Sequence, residues 1–205
     1  MRILLLRHAE TEWNRQRRFQ GWQDSPLSAT GREQAASAAR LLATTSLAAV
    51  WSSPQPRARE TAVLLAAPHG LPVREAEAFK EMNFGSWEGL TRDEVARRFP
   101  AELAAWAETP ERARWPGAES LATVRDRALA GLGELRREHK GQTVCLVSHG
   151  ITSRILILDA LGLGLDRLWS LQLSSTGISE LELRDDWTTL HRMNSSLHLA
   201  DIALA

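Results

Sequence analysis

Cysteine, tyrosine and lysine are scarce or missing in this sequence of 205 residues. The single cysteine, Cys145, excludes an internal disulfide framework and any metal or iron–sulfur site that needs several thiolates. Because Cys145 lies in an apolar run, we expect a buried, unreactive thiol. Tyrosine does not occur, and lysine occurs only at Lys80 and Lys140. A codon bias explains these two shortages as well as a function does, so neither of them indicates an activity.

Net charge and long apolar runs are missing as well. The 25 Lys and Arg residues balance the 25 Asp and Glu residues, so the chain has no overall field that would attract it to nucleic acid or to an anionic membrane. No run approaches the roughly 20 apolar residues that a membrane-spanning helix needs. The N-terminal apolar run, Ile3–Leu6, is too short for a signal peptide. These absences predict a cytoplasmic protein without nucleic-acid or membrane partners.

Several familiar catalytic motifs are also absent. The sequence contains no glycine-rich phosphate loop ending in Lys-Ser/Thr and no dinucleotide-binding glycine fingerprint. It contains no His-Glu-x-x-His pair and no nucleophile elbow around a serine. Any anion chemistry must therefore use a local set of side chains.

Short strand-like runs alternate with helical patterns along the chain. The strand-like runs lie at 3–6, 47–51, 72–75, 143–148, 177–183 and 188–193, and the helical patterns at about 30–43, 57–67, 91–107, 120–139 and 151–161. Thr30 and Glu33 have the spacing of a capping box for the first helix, and Ser28 is an alternative cap. This alternation predicts a mostly parallel sheet with helices on both faces. The length favours one domain over residues 1–205.

His8 and His149 occupy matching places, each directly after a strand-like run. Ligands of parallel α/β sheets bind beyond the carboxyl ends of the strands. Either histidine alone is as easily structural, but two at equivalent strand ends, one of them beside Arg7, favour a shared site. We expect both imidazoles to face one pocket if their strands are neighbours. The remaining histidines, at positions 69, 139, 191 and 198, are expected in loops or on the surface.

The arginines near these histidines suit phosphoryl chemistry. An imidazole is a nucleophile only while one ring nitrogen is unprotonated, and the positive charges of Arg7 and Arg57 favour that neutral form. The planar guanidinium fork also places paired donors against two phosphoryl oxygens. Phosphoryl transfer needs mainly positioning and charge neutralisation, which clustered arginines provide without magnesium. Glu81 is a candidate to deliver a proton to the leaving oxygen.

Four segments, in this order, resemble the histidine phosphatase superfamily, also called the phosphoglycerate mutase-like family. Residues 7–14, RHAETEWN, resemble the signature of that family, with Ala9 where glycine is commoner. Residues 52–62, SSPQPRARETA, resemble the segment of its second arginine. Residues 81–89, EMNFGSWEG, resemble its acid-bearing loop, and residues 147–150, VSHG, its second-histidine motif. The resemblance is closest to the small bacterial phosphatases, which include α-ribazole, glucosyl-3-phosphoglycerate and broad-specificity phosphatases.

The resemblance implies a three-layer α/β/α sandwich in which one strand runs against the others. It implies that His8 forms a phosphohistidine, that Glu81 donates a proton, and that Arg7, Arg57 and His149 hold the phosphoryl oxygens. Four further residues are implied to line the phosphate pocket: Asn14, Gln20, Gly21 and Gly150. Family members typically need no metal and no cofactor, so none is expected here.

The resemblance implies hydrolysis of a small phosphorylated metabolite. The rival within the family is a mutase. Residues 84–91 argue against it, because they resemble the small phosphatases at a point where mutases have a lysine-bearing segment. The other rival is a non-catalytic module that senses a phosphorylated ligand. We expect the segment from about 80 to 118 to form a cap over the pocket, and a homodimer by analogy. Four arginines are left without an assigned role: Arg17, Arg18, Arg112 and Arg114.

Overall fold

A mixed sheet forms the centre of residues 1–200, which are the residues that the computed structural model describes. Its strands are β1 (Arg2–Arg7), β2 (Ala49–Ser52), β3 (Val73–Glu75), β4 (Thr143–Ser148), β5 (Ile178–Leu183) and β6 (Thr188–Ser195). Their spatial order is β3-β2-β4-β1-β5-β6. The strands β1 to β4 pair in parallel, whereas β5 pairs antiparallel with both of its neighbours. The prediction that one strand runs against the others is therefore confirmed.

Helices cover both faces of this sheet. They are α1 (Glu12–Arg15), α2 (Ala29–Leu42), α3 (Pro56–Ala66), α4 (Arg92–Arg98), α5 (Pro100–Glu108), α6 (Leu121–Glu138) and α7 (Gly150–Ala160). Alternate residues of one strand point to opposite faces, so Leu4 and Leu6 pack against α2 and α3 while Ile3 and Leu5 pack on the side of α6 and α7. This arrangement confirms the three-layer sandwich. No helix of the described residues is long and apolar enough to cross a membrane.

Continuous apolar runs identify the central strands because these strands are buried on both faces. Residues 3–6 of β1 and residues 144–148 of β4 are fully buried. Cys145 lies among them, and burial raises the pKa of its thiol to about 12. That environment agrees with the expected unreactive thiol.

Two local expectations are wrong. The cap of α2 is Ser28 and not a Thr30–Glu33 box, because Ser28 has the extended backbone of a cap residue and its hydroxyl accepts the Gly31 amide at 2.9 Å. His139 is not a surface residue: it is 6% exposed, and the indole Nε1 of Trp51 donates to its Nε2 at 3.1 Å. The helical pattern of α6 did not indicate that the residue directly after its last turn is buried.

Candidate active site

The two predicted histidines follow neighbouring strands. Arg7 of β1 is in register with Ser148 of β4, and the backbone N–H of His8 donates to the Ser148 carbonyl at 2.8 Å. The next residues along each strand, His8 and His149, therefore leave the sheet side by side. Their ring centroids lie 5.2 Å apart, and both side chains are buried. The parallel pairing of β1 with β4 is thus what brings the two imidazoles together.

One hydrogen bond fixes the tautomer of His8. Its Nδ1 lies 2.7 Å from the backbone carbonyl of Ala9. A carbonyl oxygen only accepts, so Nδ1 carries the proton and Nε2 keeps its lone pair. Ala9 is itself held in place, because its N–H donates to the Thr61 hydroxyl of α3 at 3.1 Å. The orientation of the candidate nucleophile therefore follows from a carbonyl on the adjacent residue.

Burial and neighbouring cations keep both imidazoles neutral. Burial lowers the pKa of His8 well below its usual value, and the charges of Arg57 and Arg7 lower it further. The pKa of His149 is also well below its usual value, first through burial and then through Arg57. Neither ring nitrogen of His149 has a hydrogen-bond partner among the described residues, although the ring is fully buried. Such an unpaired buried donor suits an anion that enters the site.

Arg57 lies in the first turn of α3 and is 1% exposed. Its guanidinium donates to the carbonyls of Gly21 and Gln23 and to the Asp24 carboxylate, at 2.8, 3.0 and 2.6 Å. Its Nε has no partner among the described residues. The loop at 21–24 therefore fixes the guanidinium and leaves two of its five N–H donors uncommitted, one of them at Nε.

Arg7 differs from Arg57 in its surroundings. Its Nη1 donates to the Leu173 carbonyl at 2.9 Å, and among residues 1–200 no carboxylate lies within 4 Å of it. Burial and then the nearby charge of Arg154 lower its pKa to about 10, while the charge of Glu81 opposes this shift. A guanidinium held close to other cations with no carboxylate partner is ready to bind an anion.

Glu81 occupies the N-terminal end of α7. Its carboxylate accepts the amides of Met82 and Ile151, at 2.9 and 3.2 Å, and lies 3.3 Å from the Thr152 amide. Unpaired amides at a helix N-terminus favour a negative charge there. Because α7 begins at Gly150, directly after His149, the carboxylate lies next to the second histidine.

The four pocket residues expected from the resemblance all line the same cavity. Asn14 closes a capping box with Thr11, in which its Oδ1 accepts, so its Nδ2 stays available to a ligand. Gln20 donates to the Thr11 hydroxyl at 2.7 Å. Gly21 has a φ of +57°, and a Cβ there would collide with the Glu88 carboxylate. At Gly150, a Cβ would lie 3.3 Å from Nη1 of Arg154 and 3.8 Å from Nε of Arg7.

Of the four arginines without an assigned role, Arg18 lines the cavity. Its Nη1 donates to the Gly89 carbonyl at 2.6 Å and to the Glu94 carboxylate at 3.2 Å. Arg112 pairs instead with Glu111, and the other two do not line the cavity.

Three supporting residues were missed by sequence reasoning. Gln55 donates to the Gly21 carbonyl and accepts the Glu81 amide, both at 2.7 Å. Arg127 of α6 donates to the carbonyls of Ala78, Lys80 and Glu81, at 3.0, 2.7 and 2.9 Å. Arg154 of α7 lines the cavity. Only Arg154 had a local signal, because a residue four positions after Gly150 lies on the same helix face.

The cavity has a volume of about 280 Å³. His8, Arg7 and Arg57 line its inner wall, and an outer wall is formed by Phe84, Trp106, Arg154 and Trp169. A groove of about 750 Å³ between α2 and α3 is larger, but it lacks both candidate histidines and is mainly apolar. Chemistry therefore identifies the smaller cavity as the site. Of the two histidines, His8 lines this cavity, and His149 lies behind the lining with its ring centroid 5.2 Å from that of His8. These neutral imidazoles, the convergent guanidiniums and the Glu81 carboxylate are a set for phosphoryl transfer.

Comparison with known proteins agrees with this set. The family model of the histidine phosphatase superfamily (branch 1) matches residues 3–196. Phosphoserine phosphatase 1 of Hydrogenobacter thermophilus is 33% identical over 201 residues, which cover 98% of this chain and 95% of that protein. Glucosyl-3-phosphoglycerate phosphatase of Mycolicibacterium vanbaalenii is 37% identical over 174 residues, covering 80% and 76%. A probable phosphoglycerate mutase of Salmonella choleraesuis is 30% identical over 185 residues, covering 90% and 86%.

The fold agrees as well. The solved structure of Bacillus stearothermophilus YhfR superposes with a TM-score of 0.93 at 32% identity, covering 97% of this chain and 98% of that one. The sheet order and the histidines at neighbouring strand ends define a phosphoryl-transfer enzyme of the α/β class. The chain belongs to the histidine phosphatase superfamily, branch 1. The predicted family, fold and phosphatase class are confirmed.

Proposed function

We propose that this chain hydrolyses phosphate monoesters of small metabolites through a phosphohistidine on His8. The observation that carries the proposal is the hydrogen bond between His8 Nδ1 and the Ala9 carbonyl, which leaves Nε2 unprotonated at the cavity. The depressed pKa of His8 supports the same assignment, because the ring stays neutral at physiological pH.

In the first step, Nε2 of His8 attacks phosphorus and the bond from phosphorus to the ester oxygen breaks. Glu81 takes up a proton from solvent when the phosphate dianion enters beside its carboxylate, and it gives that proton to the departing oxygen, so an alcohol leaves. Arg7, Arg57 and His149 donate hydrogen bonds to the phosphoryl oxygens and offset the charge that these oxygens carry. Asn14 adds a neutral donor through Nδ2.

In the second step, water attacks the phosphohistidine. Glu81 takes one proton from that water, the bond from His8 to phosphorus breaks, and inorganic phosphate leaves. The amides of Ile151 and Thr152 stabilise the carboxylate that accepts this proton. The enzyme returns to its starting state, and no metal takes part in either step.

The test is to trap the intermediate. The wild-type protein, quenched during turnover of a ³²P-labelled ester, should carry acid-labile and base-stable phosphate, as a phosphohistidine does. His8→Ala should carry none and should lose at least about 10³-fold in kcat. His191→Ala is the matched control, because His191 lies on β6 outside the cavity. Retained label or full activity in His8→Ala would contradict the mechanism.

A mutase reaction is the alternative that the match to a probable phosphoglycerate mutase favours. It gives the phosphoryl group of the phosphohistidine to a sugar-acid monophosphate instead of to water, and the bisphosphate that forms is retained and returns its other phosphoryl group to His8. An assay with 3-phosphoglycerate and its bisphosphate, read for both isomerisation and free phosphate, separates the two reactions. We expect free phosphate as the main product. The same assay excludes a purely binding function if any turnover occurs.

The substrate, the cap, the cellular location and the partners of this chain remain predictions. We propose a small phosphorylated metabolite as the substrate, because the cavity volume of about 280 Å³ suits one. The segment from about 80 to 118 supplies Phe84 and Trp106 to the outer wall, which supports its proposed function as a cap. A cytoplasmic location, a homodimer and the lack of a nucleic-acid partner stay as predicted from the sequence.

A further inference from the structure

Arg154 is a cation in the cavity wall that the proposed reaction does not use. It lies in the first turns of α7, and burial lowers the pKa of its guanidinium. Among residues 1–200, no carboxylate lies within 4 Å of it, although many surface arginines of this protein have such a partner. Keeping a partly buried guanidinium without a carboxylate is unfavourable unless an anion enters its surroundings.

The position of this guanidinium is fixed. Its Nε donates to the Leu171 carbonyl at 2.9 Å, and its Nη1 donates to the Gly150 carbonyl at 3.2 Å. The Trp169 ring lies 5.4 Å from the guanidinium carbon. Trp169 is held in turn, because its Nε1 donates to the Trp106 carbonyl at 2.8 Å. Nη2 has no partner among the described residues, so Arg154 presents a charged donor on a fixed wall.

The other arginines of the cavity are accounted for. Arg57 is paired with Asp24, and Arg18 is paired with Glu94. Arg7 follows β1 beside His8 and serves the phosphoryl group in the proposed mechanism. Arg154 is therefore the cavity guanidinium that has neither a salt bridge within residues 1–200 nor an assigned part in holding the phosphoryl group. The carboxylate whose charge acts on it is that of Glu81, the proposed proton donor.

The position of Arg154 is on the side of the leaving group. Its Nη1 and the Oε2 of Glu81 lie 3.3 and 3.6 Å from the point that a Cβ on residue 150 would occupy. Glu81 is the residue that protonates the departing oxygen in the proposed mechanism. A substituent a few bonds beyond that oxygen is therefore within reach of Arg154.

We propose that Arg154 binds a carboxylate on the alcohol part of the substrate. The preferred substrates are then phosphorylated hydroxy acids, and this inference rests on the proposed phosphatase activity. One guanidinium carries one positive charge, which a carboxylate matches and a second phosphate dianion exceeds. The planar fork also accommodates two carboxylate oxygens.

The experiment compares two esters that differ in this group alone. 3-Phosphoglycerate carries a carboxylate where glycerol 3-phosphate carries a hydroxymethyl group. For the wild-type protein and for Arg154→Gln, kcat/KM is measured with both. We expect the wild type to prefer 3-phosphoglycerate, and Arg154→Gln to reduce that preference by about 10- to 100-fold, through the acid substrate alone.

The control variant is Arg125→Gln. Arg125 of α6 pairs with Asp159 of α7 at 2.7 Å, so its loss loosens the same helix far from the cavity. It should leave the preference unchanged. If Arg154→Gln does not fold, Arg154→Lys serves instead, because it keeps the charge but loses the planar fork and should reduce the preference in part.

Equal losses with both esters in the Arg154 variant would overturn the inference, because Arg154 would then only position α7 or hold the phosphoryl group. The proposed function would survive that result, since wild type would still release phosphate from glycerol 3-phosphate and His8→Ala would not. No release from either ester by the wild type would overturn both.

Discussion

The inner and outer walls of the cavity are built differently. The inner wall comes from the last residue of β1, from His8 directly after it and from the first turn of α3, and the side chains of these residues hydrogen-bond to backbone carbonyls. The outer wall comes from aromatic side chains of distant segments and from Arg154, which stacks near Trp169. Backbone pairing of β1 with β4 therefore fixes the reacting groups, whereas side-chain packing fixes the surface that meets the rest of the substrate.

This difference assigns reaction to the inner wall and selection to the outer wall. Glu81 lies at the junction, because its loop continues into the outer wall while its carboxylate lies at the start of α7. Variants at this junction therefore test most directly whether reaction and substrate selection are assigned to different walls.

The largest effect is expected for Glu81→Gln. An alkyl phosphate needs a proton on its departing oxygen, so kcat should fall by about 10²- to 10⁴-fold. p-Nitrophenyl phosphate has a leaving group that departs without a proton, so its phosphorylation step should slow far less. Single-turnover measurements with both esters check this. Equal losses would mean that Glu81 supports the structure and does not donate a proton.

Arg127→Leu should have the next largest effect. Arg127 does not line the cavity, but it holds the carbonyls before and at Glu81, so its loss lets the carboxylate shift. We expect kcat for alkyl phosphates to fall by about 10- to 100-fold with little change in KM. The loss should again be smaller for p-nitrophenyl phosphate, which marks Arg127 as a positioning residue. A uniform loss with both esters would indicate general destabilisation, and Arg127→Lys should recover part of the activity.

The buried neutral histidines of the site should make the folded protein less stable in acid. The pKa values of His8 and His149 are lower in the folded protein than the usual 6.5, so the unfolded chain takes up protons first as the pH falls. Their contribution to the free energy of unfolding is intact above pH 6.5 and is lost as the pH falls below it. Between about pH 6.5 and 5.5 each histidine should lower the free energy of unfolding by about 1 kcal/mol. Urea titrations of the wild type and of His149→Asn check this, since the variant should lose the part of the slope that His149 contributes.

The smallest effect is expected from chelation. The proposed mechanism offsets phosphoryl charge with guanidinium groups, so incubation with EDTA followed by desalting should leave kcat/KM unchanged. p-Nitrophenyl phosphate, whose leaving group departs without a proton, serves for this assay. Loss of activity that a divalent cation restores would show that the inner wall is incomplete without a metal.

Much of the fold and of the inner wall was predictable from the sequence. The apolar runs of β1 and β4 have the form of strands buried on both faces, and a histidine directly after each identifies the edge at which ligands bind. The pairing partner of β1 was not predictable, because it depends on contacts between residues about 140 positions apart, such as Ile3 with Val144. The tautomer of His8 was not predictable either, because it depends on the position of the Ala9 carbonyl in the folded chain.

The outer wall and the residues that support Glu81 were much less predictable. Arg127 lies on α6 among several charged residues, and nothing local distinguishes it from a solvated arginine. Its three carbonyl partners at 78–81 are brought to it only by packing between α6 and the 3₁₀ turn at Glu77–Phe79. The same holds for Trp106 and Trp169, which are about 60 residues apart in sequence and joined by one hydrogen bond.

The amide of Gln55 has a consequence for motion. One side chain accepts the backbone N–H of Glu81 and donates to the carbonyl of Gly21, whose other partner is the guanidinium of Arg57. The Gln55 side chain therefore connects the loop at 21–24, which holds Arg57, to Glu81, which supplies the proton. If that loop rearranges when a ligand arrives, the acid is carried with it, and capture and protonation occur in concert.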